Sequence, residues 1–351
     1  MSNPSYSSSG HIVYHRSGTN SGVWAVPFSL SSLDVTGEPF PVASDASTPS
    51  VSDDGTLVCL RGATGQSISP VWVGRDGSVS EPFSEPRPGY FDPGLSPDGT
   101  RLAVCEWDGS EVDIWIHDLE RKTRTRFTFK EGAQLGAEWT PDGTQILYQE
   151  TRGDTIMVRR ADGTGSPTPI AKGREPNLSS DGRYLAYHIQ GGATQEDLWY
   201  SDLEDKSEPK QFLATPAREY RARISPDGNY IAYVSDESGN FDVYITRFPG
   251  GEGKWQISTN GGDRPRWGRS GKSLYYQETN CDLMEVSVTL APTLTLGTPK
   301  KVVDCSELGL YEGFGREYAI DIDEDRFVWT KSAVASQGRI DVGITVVENW
   351  A

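Results

Sequence analysis

A short phrase, Ser-Pro-Asp-Gly followed by an apolar and aromatic triplet, recurs about every 44 residues along this chain, and the recurrence limits its folds more than any other feature. Clear copies are Ser96-Pro97-Asp98-Gly99 ahead of Leu102-Ala103-Val104, and Ser225-Pro226-Asp227-Gly228 ahead of Ile231-Ala232-Tyr233. Thr140-Pro141-Asp142-Gly143, Ser179-Ser180-Asp181-Gly182 and Gly268-Arg269-Ser270-Gly271 keep the frame. Ser52-Asp53-Asp54-Gly55 and Ser7-Ser8-Ser9-Gly10 fit it if the next strand starts one residue sooner, and Asp323-Glu324-Asp325 before Phe327-Val328-Trp329 is a degenerate last copy. With Gly10, Gly55, Gly99, Gly143, Gly182, Gly228, Gly271 and Asp325 as markers, the intervals are 45, 44, 44, 39, 46, 43 and 54, so eight units tile the chain.

Each unit reads as β structure. Its apolar runs are short, rich in Val, Ile, Tyr and Trp, and bounded by Gly, Pro, Asp and Ser. Asp-Gly closes tight turns because Gly accepts positive φ and Asp bonds its own following backbone. A third apolar run follows, as in Asp113-Ile114-Trp115-Ile116, Asp197-Leu198-Trp199-Tyr200 and Asp242-Val243-Tyr244-Ile245. A second polar turn, such as Arg75-Asp76-Gly77 or Ala161-Asp162-Gly163, leads to a fourth strand. Four strands per period of this length predict an all-β, eight-bladed β-propeller of four-stranded antiparallel blades, with residues 1–351 as one domain. The last unit runs out after Ile344-Thr345-Val346-Val347, before a fourth strand. Either the eighth blade has three strands, or the ring closes with seven blades and merged terminal units.

A formal net charge of −17 argues against a nucleic-acid partner, which needs a basic footprint, and against an anionic membrane surface. No apolar run has the length of a membrane span, and the first residues carry no signal-peptide pattern, so the expected location is the cytoplasm. Cys59, Cys105, Cys281 and Cys305 show no C-x-x-C spacing and read as reduced core thiols.

Pro97-Asp98-Gly99, Pro141-Asp142-Gly143 and Pro226-Asp227-Gly228, each with its apolar triplet, resemble the WD-like propeller repeat of TolB-type proteins. The stretch from Phe212-Leu213-Ala214-Thr215-Pro216 through Tyr233-Val234-Ser235-Asp236 to Lys254-Trp255-Gln256-Ile257 and Pro265-Arg266-Trp267 is similar to the propeller on the C-terminal side of certain bacterial serine/threonine protein kinases. No kinase signature accompanies it. The resemblance implies a sensing or protein-binding module and supplies no catalytic set.

Candidate chemistry is sparse. His11, His15, His117 and His188 are scattered over the units and predict no shared metal, and no cofactor is expected. Asp321, Asp323 and Asp325 mimic a calcium loop but lack its glycine and distal glutamate, so they read as a decayed turn. The remaining candidate is the channel mouth, where the first strand of each blade begins. A proline lies six positions before the marker in five units, namely Pro4, Pro49, Pro93, Pro176 and Pro265. The residues just before that position include Asp92, Arg174, Glu175, Tyr220, Arg221, Asp263, Arg264, Arg316 and Glu317. Arginines gathered at one level of an acidic chain are suited to grip a carboxylate or phosphate. The plainer alternative is a rim of ion pairs that cements the blades. The expected function is therefore a non-catalytic, monomeric module binding a protein partner or a small anionic ligand. The competing readings are a hydrolase or lyase using Glu175, Asp263 or Glu317 with Tyr220, and a scaffold with no small-molecule site.

Overall fold

The computed structural model describes residues 2–16, 22–44, 46–52, 54–61, 68–108, 111–191, 195–205, 207–310, 318–332, 343–347 and 350. They form strands and turns with no helix, arranged as eight antiparallel sheets, as eight repeats require. No helix among them is long and apolar enough to cross a membrane. The repeated phrase folds as expected at the turn joining the first two strands. Ser96 Oγ donates to Asp98 Oδ1 at 2.5 Å, and Asp98 accepts the Thr100 N–H at 3.0 Å. These bonds, the Ser96 hydroxyl first, hold the Asp98 pKa down at about 2, so the aspartate is a turn builder. In the last copy the left-handed turn residue is Glu324 (φ 59°), and Asp321 is tied to Arg326 at 2.6 Å.

Five sheets are chain-ordered meanders, spanning 89–126, 134–172, 174–213, 219–256 and 263–303. We number them third to seventh, after their repeat units. Aspartates that open third strands fasten fourth strands to them. Asp113 accepts the Thr128 hydroxyl at 3.0 Å, Asp242 the Ser258 hydroxyl at 2.7 Å, and Asp282 the Cys305 N–H at 3.0 Å.

The terminal units differ from a uniform ring. The strand Ile68–Gly74 of the second unit pairs with Arg326–Ser332 of the eighth, and Gly343–Val347 of the eighth pairs with Leu57–Arg61 of the second. The two units have exchanged third strands, so the second and eighth sheets each join a segment from the N-terminal side of the chain to one from the C-terminal side. The eighth sheet packs its Val71, Val73, Phe327 and Trp329 on Tyr275, Leu283 and Val303 of the seventh. Its other face packs Ile68, Ala319 and Val328 on Tyr90, Leu102 and Val104 of the third. Contacts thus close around six sheets, third to eighth. The first sheet packs on the second through Val13, Val23, Ala25, Leu57 and Cys59. Any Val-rich strand satisfies the edge of a sheet, so which unit receives it is decided by packing that periodicity does not encode.

The expectation of four reduced thiols needs correction. Cys59 and Cys105 are buried and outside any disulfide, but Cys281 and Cys305 form a disulfide with Cα atoms 5.8 Å apart. Cys281 precedes the third strand of the seventh sheet and Cys305 follows its outermost strand, Lys300–Val303. Strand pairing therefore brings together residues 24 apart in sequence.

Candidate ligand-binding channel

The strands that open five of the six ring sheets, the third to the seventh, begin with a shared irregularity. Asp92, Glu175, Arg221 and Arg264 have φ of 50°, 48°, 54° and 54°, and Gly136 holds the equivalent position at 65°. Each lies within a register shift against the next strand, the mark of a β-bulge. A non-glycine residue in this region costs roughly 1–3 kcal/mol, and bulges re-aim side chains. Four charged residues held this way set one level of the channel, the level the proline ruler picks out.

Most of that level is engaged in ion pairs and hydrogen bonds between sheets. Glu175 Oε1 accepts Arg221 Nε at 3.2 Å, Arg221 Nη1 donates to Asp263, and Arg264 Nη1 donates to the same carboxylate at 3.2 Å. This ladder runs from the fifth sheet to the seventh. Asp92 Oδ2 accepts the Gly136 N–H at 3.0 Å, joining the third sheet to the fourth. Arg174 does not join them. Its guanidinium forks onto Asp154 at 2.8 and 2.9 Å. Tyr220 lies half-buried between His188 and Phe241, and burial raises its phenol pKa far above the usual value. Arg316 and Glu317 lie outside the described residues.

Two buried acid–base groups stand behind the mouth. His188 Nδ1 is 3.8 Å from Glu175 Oε2, and burial lowers the histidine pKa. Glu219 is 1% exposed, and burial raises its carboxyl pKa to about 7, with Asp197 and Glu237 reinforcing the shift. Thr215 Oγ1 donates to Glu219 Oε1.

A second level, two residues further along each strand, escaped the sequence reading. It holds Gly94, Glu138, Asn177, Arg223, Arg266 and Ala319. Glu138, Arg223 and Arg266 line a cavity of about 70 Å3 shared with Asp92, Gly136 and Glu175 of the mouth. With Asn177 they also line a cavity of about 280 Å3 on the side of the Pro-Asp-Gly turns. Neighbouring strands are locked here by bonds that leave little slack. Trp139 Nε1 donates to Gly94 O at 2.8 Å, Trp267 Nε1 to Arg223 O at 2.9 Å, and the Ile224 N–H to Asn177 Oδ1 at 2.8 Å. Asn177 Nδ2 also donates to Glu138 at 3.0 Å. Gly94 is required by close approach, since a Cβ there would lie 2.6 Å from Ala137 O. The period-2 alternation of a strand was the signal that would have found this level, because i and i+2 share a face. Counting only these side chains, the mouth carries three acids to two arginines, and the inner level one acid to two arginines.

No family profile matches the chain. An uncharacterized protein of Agrobacterium fabrum, Atu1656, is 26% identical over 145 residues, or 39% of this chain. That match covers 49% of Atu1656, so the similarity spans about half the length of this relative. Among solved structures, a TolB-like protein of Agrobacterium tumefaciens superposes with a TM-score of 0.61 at 16% identity, covering 76% of this chain and 98% of that one. An oligogalacturonate lyase in complex with manganese gives 0.50 at 14%, covering 81% and 92%. At such identities the likeness is one of fold, and the chain has the fold of the TolB-like β-propellers.

Proposed function

We propose that this propeller is a binding module that draws an anionic group, a carboxylate foremost, of a small ligand or protein partner into its channel and holds it on Arg223 and Arg266. The observation that carries this reading is the pair of guanidiniums lining cavities on both sides of one level, in a chain of net charge −17. Paired guanidiniums grip a carboxylate through charge-assisted, bidentate bonds. Asp92, Glu175, Tyr220, Arg221, Asp263 and Arg264 frame the mouth, and Arg174 braces the wall behind it. Residues 1–351 are read as one unit, a reading supported by the two composite sheets, each of which joins a segment from the N-terminal side to one from the C-terminal side. The Cys281–Cys305 disulfide favours an oxidising compartment over the cytoplasm. The resemblance to kinase-attached propellers supports a sensing role.

The test is thermal unfolding with citrate, phosphate and a matched concentration of sodium chloride. Citrate is expected to raise the Tm of the native protein beyond the salt control, and the doubly substituted Arg223→Gln/Arg266→Gln protein is expected to lose that rise. An equal rise in both proteins refutes the reading. The competing hydrolase or lyase reading, with Glu175, Asp263 or Glu317 and Tyr220 as its acid–base groups, gains one observation, His188 Nδ1 lying 3.8 Å from Glu175 Oε2.

A further inference from the structure

The repeat supplies its own template for the space between neighbouring sheets. Between the fifth and sixth sheets, on the side of the Pro-Asp-Gly turns, aromatic rings fill the gap. Phe248 of the sixth sheet sits edge-on among Tyr184, Tyr200 and Phe212 of the fifth, with ring centroids 5.3, 5.2 and 5.5 Å away. Its ring is enclosed, at 5% exposure.

One repeat earlier, between the fourth and fifth sheets, the same four positions hold Gln145, Val158, Ile170 and Leu203. The register fixes this correspondence. Gln145 and Tyr184 lie two residues after the turn glycines Gly143 and Gly182. Val158 pairs with Leu147 as Tyr200 pairs with Ala186. Ile170 and Phe212 are the residues skipped where the fourth strand shifts register against the third. The Leu203 N–H donates to Arg183 O at 2.8 Å as the Phe248 N–H donates to Asn229 O at 2.9 Å.

None of these four side chains is aromatic, and a cavity of about 370 Å3 opens beside them. That volume falls in the range of roughly 300–1,000 Å3 typical of small-molecule sites. Leu147, Val158 and Ile170 of the fourth sheet and Leu178 and Leu203 of the fifth line it, and all five pack in the one cluster between these two sheets. All but Leu147 are partly exposed, so the apolar floor is open to solvent. Asp142 and Asp181 stand at its rim. Hydrogen bonds within their turns, from the Thr140 and Ser179 hydroxyls first, lower both aspartate pKa values and keep the carboxylates ionised. Arg183, close to Asp181 in sequence, is committed to Asp202 at 2.7 Å. An apolar cleft under two carboxylates complements an aromatic body with a cationic head and disfavours the anions drawn to the channel.

We infer that the cleft between the fourth and fifth sheets binds an arylalkylammonium compound, its ring on Val158, Ile170 and Leu203 in the place that Phe248 fills one repeat later, and its ammonium beside Asp142 and Asp181. The probe is 2-(4-fluorophenyl)ethylammonium, followed by fluorine NMR titration of the full chain. One saturable site is expected, from which 4-fluorophenylacetate does not displace the probe. Leu203→Phe supplies the missing ring from within the chain and is expected to abolish saturable binding without lowering the Tm. Asp142→Asn/Asp181→Asn keeps an acceptor oxygen in each turn, removes the charge, and is expected to weaken binding about fivefold. Asp98→Asn/Asp227→Asn makes the same change of net charge at other turns and is expected to leave the affinity unchanged. Unaltered affinity in Leu203→Phe overturns the proposal, as does equal affinity in the two aspartate pairs or displacement by 4-fluorophenylacetate. If Leu203→Phe fails to fold, the two aspartate pairs decide: weaker binding only in Asp142→Asn/Asp181→Asn supports the site, and equal binding refutes it.

Discussion

The two levels of the channel are built from the same strands, two residues apart, and they use their arginines differently. At the mouth, Arg221 and Arg264 are drawn into a ladder with Glu175 and Asp263 that spans three sheets. One level in, Arg223 and Arg266 line cavities on either side; Arg223 Nη1 donates to Ala222 O at 2.9 Å, Arg266 lies over the Tyr318 ring, and Trp139, Trp267 and Asn177 bond neighbouring strands. On the proposed reading, the mouth serves as cement and the inner level as the receptor. Position along a strand, more than residue type, separates the two roles.

Removing an arginine from each level exposes the difference most strongly. Arg221→Ala strands Glu175 and Asp263 without their shared cation and is expected to lower stability by about 2 kcal/mol, less than a fully buried pair because these side chains keep some solvent. Chemical denaturation checks the loss, and citrate binding is expected to survive it. Should Arg221→Ala abolish binding at unchanged stability, the assignment of the levels is reversed.

A smaller effect separates scaffold from site within the inner level. Asn177→Ala leaves the Ile224 N–H without its partner and is expected to cost about 1–2 kcal/mol by the same denaturation measurement. Asn177→Asp keeps the acceptor but sets a carboxylate oxygen against Glu138 in place of the Nδ2 donor, so it is expected to recover at most part of the loss.

The smallest effect is one of pH. The folded Glu219 pKa of about 7 lies above the ordinary 4.5, so between these values the native protein holds a proton that the unfolded chain releases. Stability is therefore expected to fall as pH rises across that window, and Glu219→Gln to flatten the profile. Tm measured from pH 4.5 to 8 reads the slope, and an identical slope in Glu219→Gln removes the carboxyl as its source.

Much of the fold was legible in the sequence because turn chemistry is local. Pro-Asp-Gly turns and alternating apolar triplets placed eight sheets, and the proline ruler placed Asp92, Glu175, Arg221 and Arg264 at one level. What stayed hidden depends on contacts between distant segments. Ile68–Gly74 and Gly343–Val347 are both short, β-branched strands, and nothing local says that each belongs to the other's sheet. Cys281 and Cys305 meet only after the seventh sheet has paired. Arg174 was grouped with Glu175 because adjacent residues were read together, whereas its guanidinium is taken by Asp154, a partner 20 residues away that no local pattern marks. The alternation of a strand, applied forward from the mouth, reaches Arg223 and Arg266.

The most direct test is the location of a bound carboxylate. Crystals soaked in 4-bromobenzoate give an anomalous bromine signal that marks the ligand independently of the protein phases. The expected result is bromine in the channel, with the carboxylate against Arg223 and Arg266. A carboxylate seated on Arg221 and Arg264, or a channel left empty under conditions where the same compound raises the Tm, contradicts the account.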